Sequence, residues 1–153
     1  MSGGYRSFAH RVEIGAPVER VWRAFTDSRM LERWTTAGAI VTPREKGRMH
    51  VVFGEGIELD GHIDVLVTAQ RMRLILLPTP GMPGTEAVII EDFLFERVPP
   101  TTTVVRLLSS GVPSSPRWVT YYLSKRRYWE LALTRLKVFL EKGLDQEQPK
   151  PRY

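Results

Sequence analysis

The segment from Ser115 to Gly143 constrains this chain more than any other, because it reads as one helix with both ends marked. Ser115 suits the N-cap, and Pro116 suits the first helical position, where a missing N–H has no helical partner to lose. Gly143 suits a left-handed stop. At 100° per residue, Trp118, Tyr122, Trp129, Ala132, Leu133, Leu136 and Leu140 fall on one stripe, aromatic in its first half and aliphatic in its second. Such a helix is about 40 Å long at 1.5 Å per residue, more than a small core needs. The region before it is rich in strand patterns, so a curved sheet is the expected partner, and a pocket between sheet and helix is the expected result. A binding site, rather than a catalytic motif, becomes the leading clue to function.

The strand patterns support that partner. Phe8, His10, Val12 and Ile14 alternate with Ala9, Arg11 and Glu13, which describes a strand with one buried side. Gly15-Ala16-Pro17 breaks it. Val18, Val21, Trp22 and Phe25 then recur at helical spacing, and Ser28 is placed to cap a second short helix carrying Met30, Leu31 and Trp34. From Ile40 to Ser110 the period is mostly two. Met49, Val51 and Phe53 form one run, with Gly54-Glu55-Gly56 as a hairpin turn. Ile57, Leu59, Ile63, Val65 and Val67 form another, and Met72, Leu74 and Leu76 a third. Pro78 to Gly84 holds three prolines and two glycines and predicts a flexible flap. Ala87 to Val98 and Thr103 to Ser110 are the last two predicted strands.

A chain of 153 residues suits one domain spanning 1–153, with an ordered core over about 5–143 and a flexible tail over 144–153. The net charge is +5, but the basic clusters carry no nucleic-acid motif, so no nucleic-acid partner is expected. No apolar run is long enough for stable membrane insertion. The start of the chain lacks the apolar core of a signal peptide and there is no cysteine, which together fit a cytoplasmic location. His10, His50 and His62 lack metal-ligand spacing, and no phosphate loop, dinucleotide fingerprint or nucleophile elbow is present. Neither a metal nor a cofactor is expected.

Inward parity assembles a candidate site. The strands supply Phe8, Val12, Met49, Val51, Phe53, Leu59, Ile63, Met72, Leu74, Phe93, Phe95, Val105 and Leu107, and the long helix supplies Trp118, Tyr122, Trp129 and Leu133. For any one of these a filled core is the plainer explanation. As a group, large aromatics with polar tips suit a pocket for a mostly apolar guest. Three polar residues share the inward parity: His10, Glu91 and Lys125. A buried carboxylate needs a partner or it becomes neutral, and a Glu91–Lys125 pair satisfies both residues. The competing readings are a strand bulge that turns Glu91 outward, a Lys125 that snorkels at a groove edge, and a His10 satisfied within the core.

Local wording adds a resemblance. Ile14-Gly15-Ala16-Pro17-Val18-Glu19-Arg20-Val21-Trp22-Arg23-Ala24-Phe25-Thr26-Asp27, followed by Leu31-Glu32-Arg33-Trp34, resembles the opening of the SRPBCC superfamily (START, Bet v 1-like). Thr103 to Gly111 and Trp129 to Glu141 resemble the last strand and closing helix of its branch similar to the Hsp90 ATPase activator homologue domain. The branch's common glycine–tryptophan pair is Tyr128-Trp129 here. The resemblance implies an α+β helix-grip fold, a curved antiparallel sheet wrapped around the long helix with two short helices after the first strand. It also implies a cavity for an apolar ligand, without naming a reaction.

Three functional readings follow. The first is a non-catalytic module that binds a small hydrophobic or aromatic molecule between sheet and helix. The second is a polyketide cyclase-, aromatase- or hydrolase-like enzyme using the same cavity, with Glu91, His10 or Tyr122 as its acid–base group. The third is a protein-interaction domain like the Hsp90 activator. Leu123, Leu131 and Val138 fall on the far side of the long helix and mark a candidate partner or homodimer surface.

Overall fold

The computed structural model describes residues 3–35, 38–54 and 57–142. Seven strands and three α-helices follow one another as β1 (Tyr5–Ile14), α1 (Val18–Thr26), α2 (Ser28–Thr35), β2 (Gly38–Val41), β3 (Arg48–Gly54), β4 (Ile57–Val67), β5 (Arg71–Leu76), β6 (Ile90–Val98), β7 (Thr102–Pro113) and α3 (Val119–Glu141), with a 3₁₀ turn over Pro116–Trp118 before α3. The strands form one antiparallel sheet in the order β1-β7-β6-β5-β4-β3-β2. Strands β2 to β7 therefore form a meander, and β1 closes on β7 at its far end. The fold is the α+β helix-grip arrangement, with α3 lying against the inner face of a curved sheet.

Alternation puts one face of each strand into the core. Met49, Val51, Leu59, Ile63, Met72, Leu74, Phe93, Val105 and Leu107 are all buried on that face. The outer face is laced with cross-strand ion pairs, among them Arg48–Asp60, Arg71–Asp92 and Arg106–Glu96. The helices α1 and α2 seal one end of the core. Phe25 meets Trp34 at 5.0 Å, Phe95 at 5.0 Å and Phe93 at 5.2 Å between ring centroids, and the Trp34 indole donates to Ala24 O at 2.9 Å.

Helix α3 is anchored to β1 and α1 along its second half. Lys137 Nζ donates to Glu13 O at 2.6 Å, Arg20 donates to Leu140 O at 3.0 Å, and Gly15 N donates to the Glu141 carboxylate at 2.6 Å. In β7, Gly111 has φ of +96°, and an added Cβ would lie 2.0 Å from Val88 O. Only glycine lets the segment entering β6 pass that close.

Several boundaries differ from the sequence expectation. Ala87 to Ile89 belong to the loop, and β6 begins at Ile90. The long helix is broken near its start, because the 3₁₀ turn over Pro116–Trp118 precedes α3 and Ser115 makes no side-chain cap there. Asp27, not Ser28, caps α2: its Oδ1 accepts from Arg29 N at 2.9 Å and Met30 N at 3.1 Å. Ser28 instead accepts from Val41 N at 2.9 Å and ties the helix to edge strand β2. The Gly143 stop, the tail over 144–153 and the tip of the Gly54-Glu55-Gly56 turn lie outside the described residues.

Candidate functional site

Register sets the polar centre of the interior. Across the inner face, Phe8 pairs with Ser109, Ser109 with Glu91, Glu91 with Leu74 and Leu74 with Ile63. Glu91 therefore sits mid-sheet, flanked by apolar side chains and one hydroxyl. Lys125 comes down onto it from α3. Its Nζ lies 3.0 Å from Glu91 Oε2, with the lysine side chain 4% exposed and the glutamate 0%. The strand carries no bulge at Glu91 and the lysine does not snorkel out, so the two ends meet in the core.

The pair is incompletely satisfied. Ser109 Oγ donates to Glu91 Oε2. The Lys125–Glu91 contact has the distance of an ion pair but lies outside hydrogen-bond geometry. Glu91 Oε1, Lys125 Nζ and Trp129 Nε1 are all buried without a hydrogen-bonding partner. Leaving such groups unmet costs about 1–3 kcal/mol each, and more for a charged one. Burial pulls the Lys125 ammonium down from the usual lysine range, while the Glu91 carboxylate opposes that shift. Tyr121, one turn earlier on α3, is pushed up by burial and then by Glu91, so its phenol stays protonated at neutral pH.

Around this centre the packed side chains are aromatic and in mutual contact. Trp129 meets Phe53 and Phe93, each at 5.1 Å between centroids, both edge-to-face. Phe95 meets Trp22 edge-to-face at 5.0 Å between centroids. Met49, Val51, Leu74, Leu107 and Leu133 are buried beside them. Trp118 is fully buried, and its Nε1 donates at 2.9 Å to Glu86 on the loop between β5 and β6. Arg117 also donates to Glu86, and to Pro83 O at 3.2 Å, so the proline-rich loop is tied to the start of α3.

Tyr122 is placed differently from its sequence assignment. It is half-buried over the sheet edge, where its hydroxyl donates to Ser7 O at 2.9 Å and its ring meets Phe8 at 6.0 Å. It helps line a groove of about 300 Å³ with Ser7, Phe8, Ala9, His10, Arg126 and Glu130. Tyr121 is the tyrosine that turns inward, 4% exposed, with Lys125 Nζ 5.6 Å from its ring centroid. His10 lies under the same edge, its Nε2 3.0 Å from Arg126 O.

Two members of the polar centre escaped the sequence reading. Ser109 shares the parity of Val105 and Leu107, so alternation alone could have placed it. By the 100° count Tyr122 falls inside the apolar stripe and Tyr121 just beyond its edge, so periodicity favoured the tyrosine that the structure leaves at the sheet edge. Among the described residues no cluster of three or more His, Cys, Asp or Glu side chains could hold a metal ion, and no helix is long and apolar enough to cross a membrane.

Comparison with known proteins places this geometry in a group. The fold is shared with a Mesorhizobium loti protein of known structure, at 20% identity over 94% of this chain and 99% of that one, with a TM-score of 0.74. It is shared with the Aha1 dimer from Colwellia psychrerythraea, solved in solution, at 21% identity over 90% and 98% of the two chains, with a TM-score of 0.72. CalU16 from Micromonospora echinospora matches at 23% identity over 96% of this chain and 78% of its own, with a TM-score of 0.67. At these identities the likeness concerns the fold alone. No curated protein matches the sequence. The family model for the activator of Hsp90 ATPase homolog 1-like proteins matches residues 15–141, from the break after β1 to the last turn of α3, and the chain belongs to that family.

Proposed function

We propose that the protein binds a small, mostly hydrophobic or aromatic molecule between the sheet and α3, with a polar group of the ligand seated at Glu91, Lys125 and Trp129. The observation that carries this reading is the set of three unmet polar atoms, one acceptor and two donors, buried among aromatic walls. A core built only for stability gains nothing from such a set, since apolar residues of the same volume are often neutral or better there. A ligand hydroxyl would donate to Glu91 Oε1 and accept from Lys125 or Trp129, and a carbonyl would meet the two donors. Because Glu91 and Lys125 already balance each other's charge, an uncharged ligand is favoured over an ionic one.

Native mass spectrometry of the freshly purified protein tests the reading. A small molecule that travels with the wild-type chain, and is lost from the Glu91→Gln and Lys125→Met double variant, supports it. A ligand-free spectrum, together with no stabilisation by a panel of neutral aromatic alcohols and ketones, removes it.

A second reading rests on a different surface. Leu123, Leu131 and Val138 are exposed along the outer stripe of α3, and one structural neighbour was solved as a dimer. Self-association through that stripe would leave the interior free. Light scattering of wild type and Leu131→Asp separates the cases, because a monomeric wild type ends this reading.

A further inference from the structure

We propose that Lys125 is a carbonyl-condensing amine, forming an imine with an aldehyde or ketone group of a small apolar ligand while Glu91 relays the protons. The inference rests on the binding site described above and adds a covalent activity to it.

Three observations support it. Lys125 Nζ is buried and makes no well-formed hydrogen bond, so no donated or accepted bond has to break before the deprotonated amine can attack. Glu91 Oε2 lies 3.0 Å away, within reach of a direct proton transfer. The other Glu91 oxygen has no partner and is free to serve a reacting group. Burial also favours the uncharged amine, the form that attacks carbonyl carbon.

The step balances without an oxidant or reductant. Glu91 takes a proton from the Lys125 ammonium. The amine nitrogen bonds to the carbonyl carbon as the C=O π pair moves to oxygen, and Glu91 returns its proton to that oxygen. Glu91 then removes a proton from nitrogen and delivers it to the carbinolamine hydroxyl, which leaves as water. The product is an iminium on Lys125 opposite a Glu91 carboxylate. One positive and one negative charge are present before and after, so the reaction creates no new unpaired charge in the core.

The chain has five lysines, Lys46, Lys125, Lys137, Lys142 and Lys150, which makes selectivity measurable. The test incubates the folded protein with benzaldehyde at neutral pH, traps imines with cyanoborohydride and maps N-benzyl-lysine by peptide mass spectrometry. Labelling at Lys125 several-fold above every other lysine is the expected result. In Glu91→Gln, which keeps the amine and removes the proton relay, labelling of Lys125 should fall several-fold while the other lysines label as in wild type and a cooperative melt confirms the fold; unchanged labelling of Lys125 there overturns the relay. Labelling that follows solvent exposure and spares Lys125 overturns the imine. If benzyl alcohol raises Tm while Lys125 stays unlabelled, the imine falls and the binding reading stands. If neither effect occurs and the native mass spectrum is ligand-free, both fall.

Discussion

The two faces of the sheet carry the same chemical pairing under opposite conditions. On the outer face, Arg48 meets Asp60 through two nitrogens at 2.8 and 2.9 Å, and Arg71 meets Asp92 the same way at 3.0 and 2.9 Å. These arginine pairs are bidentate and partly solvated. On the inner face, one lysine meets one glutamate with almost no solvent and with donor and acceptor capacity left over. Solvent makes outer pairs inexpensive to form and of little consequence to lose. The inner pair costs several kcal/mol per ion to desolvate and is costly to break from one side. The proposed function places its polar contact at this inner pair, and the difference directs functional experiments to the inner face.

The sharpest way to break this comparison is to remove one inner partner. Lys125→Met should cost about 3–5 kcal/mol, because it leaves a lone buried carboxylate. The double change with Glu91→Gln should recover most of that loss. Urea denaturation of the four-member cycle measures the coupling, and additive single effects would make the inner pair no different from an outer one.

Trp129 sharpens the comparison through its two parts. Trp129→Ala should lose about 3–5 kcal/mol from the contacts with Phe53 and Phe93. Trp129→Phe should lose clearly less, because it removes the unmet N–H along with part of the ring. Equal losses in thermal melts would show that the indole N–H has a partner in solution.

The outer pairs should respond weakly. Asp60→Asn is expected to cost about 0.2–1 kcal/mol, shrinking as salt is added. A salt-insensitive loss of several kcal/mol would erase the contrast between the faces.

Glu86 provides the smallest effect and a pH signature. Its carboxyl is held below the usual range first by the Trp118 indole hydrogen bond and also by Arg117. A depressed folded pKa means its contribution is present above the unfolded value, about 4.3, and is lost as pH falls through the lower folded value. Amide protection over residues 77–89, measured against the intrinsic exchange rate at each pH, should therefore drop in acid for wild type. In Glu86→Gln that pH step should be missing, and an identical step in both proteins would assign it to another group.

Much of the architecture was legible because alternation and helical period are local properties. Most inner-face residues from Met49 to Leu107 could be placed by counting in twos, and the breaks at Gly15-Ala16-Pro17 and Pro78 to Gly84 are written in residues that cannot continue regular structure. Glu91 and Lys125 each carried the correct face for the same reason. The end of β4 is the exception: a bulge between Ile63 and Val65 reverses the alternation, so Leu66 packs against the core and Val67, counted as inward, is exposed. The capping of α2 was misread because Asp27 and Ser28 are both competent caps, and only the path of the chain to β2 assigns Ser28 to Val41.

The sequence by itself thus determined which side of most elements is apolar and the order of the elements, and its opening and closing segments resembled the activator of Hsp90 ATPase homolog 1-like family to which the chain belongs. Only the tertiary structure decided which polar atoms share the interior. A periodicity count favoured Tyr122 over Tyr121, but the position of α3 over the β1 edge turned Tyr121 inward and left Tyr122 against Ser7. Whether Glu91 meets Lys125 depends on strand register and helix placement together, and its unmet hydrogen bonds depend on angles that no residue spacing encodes.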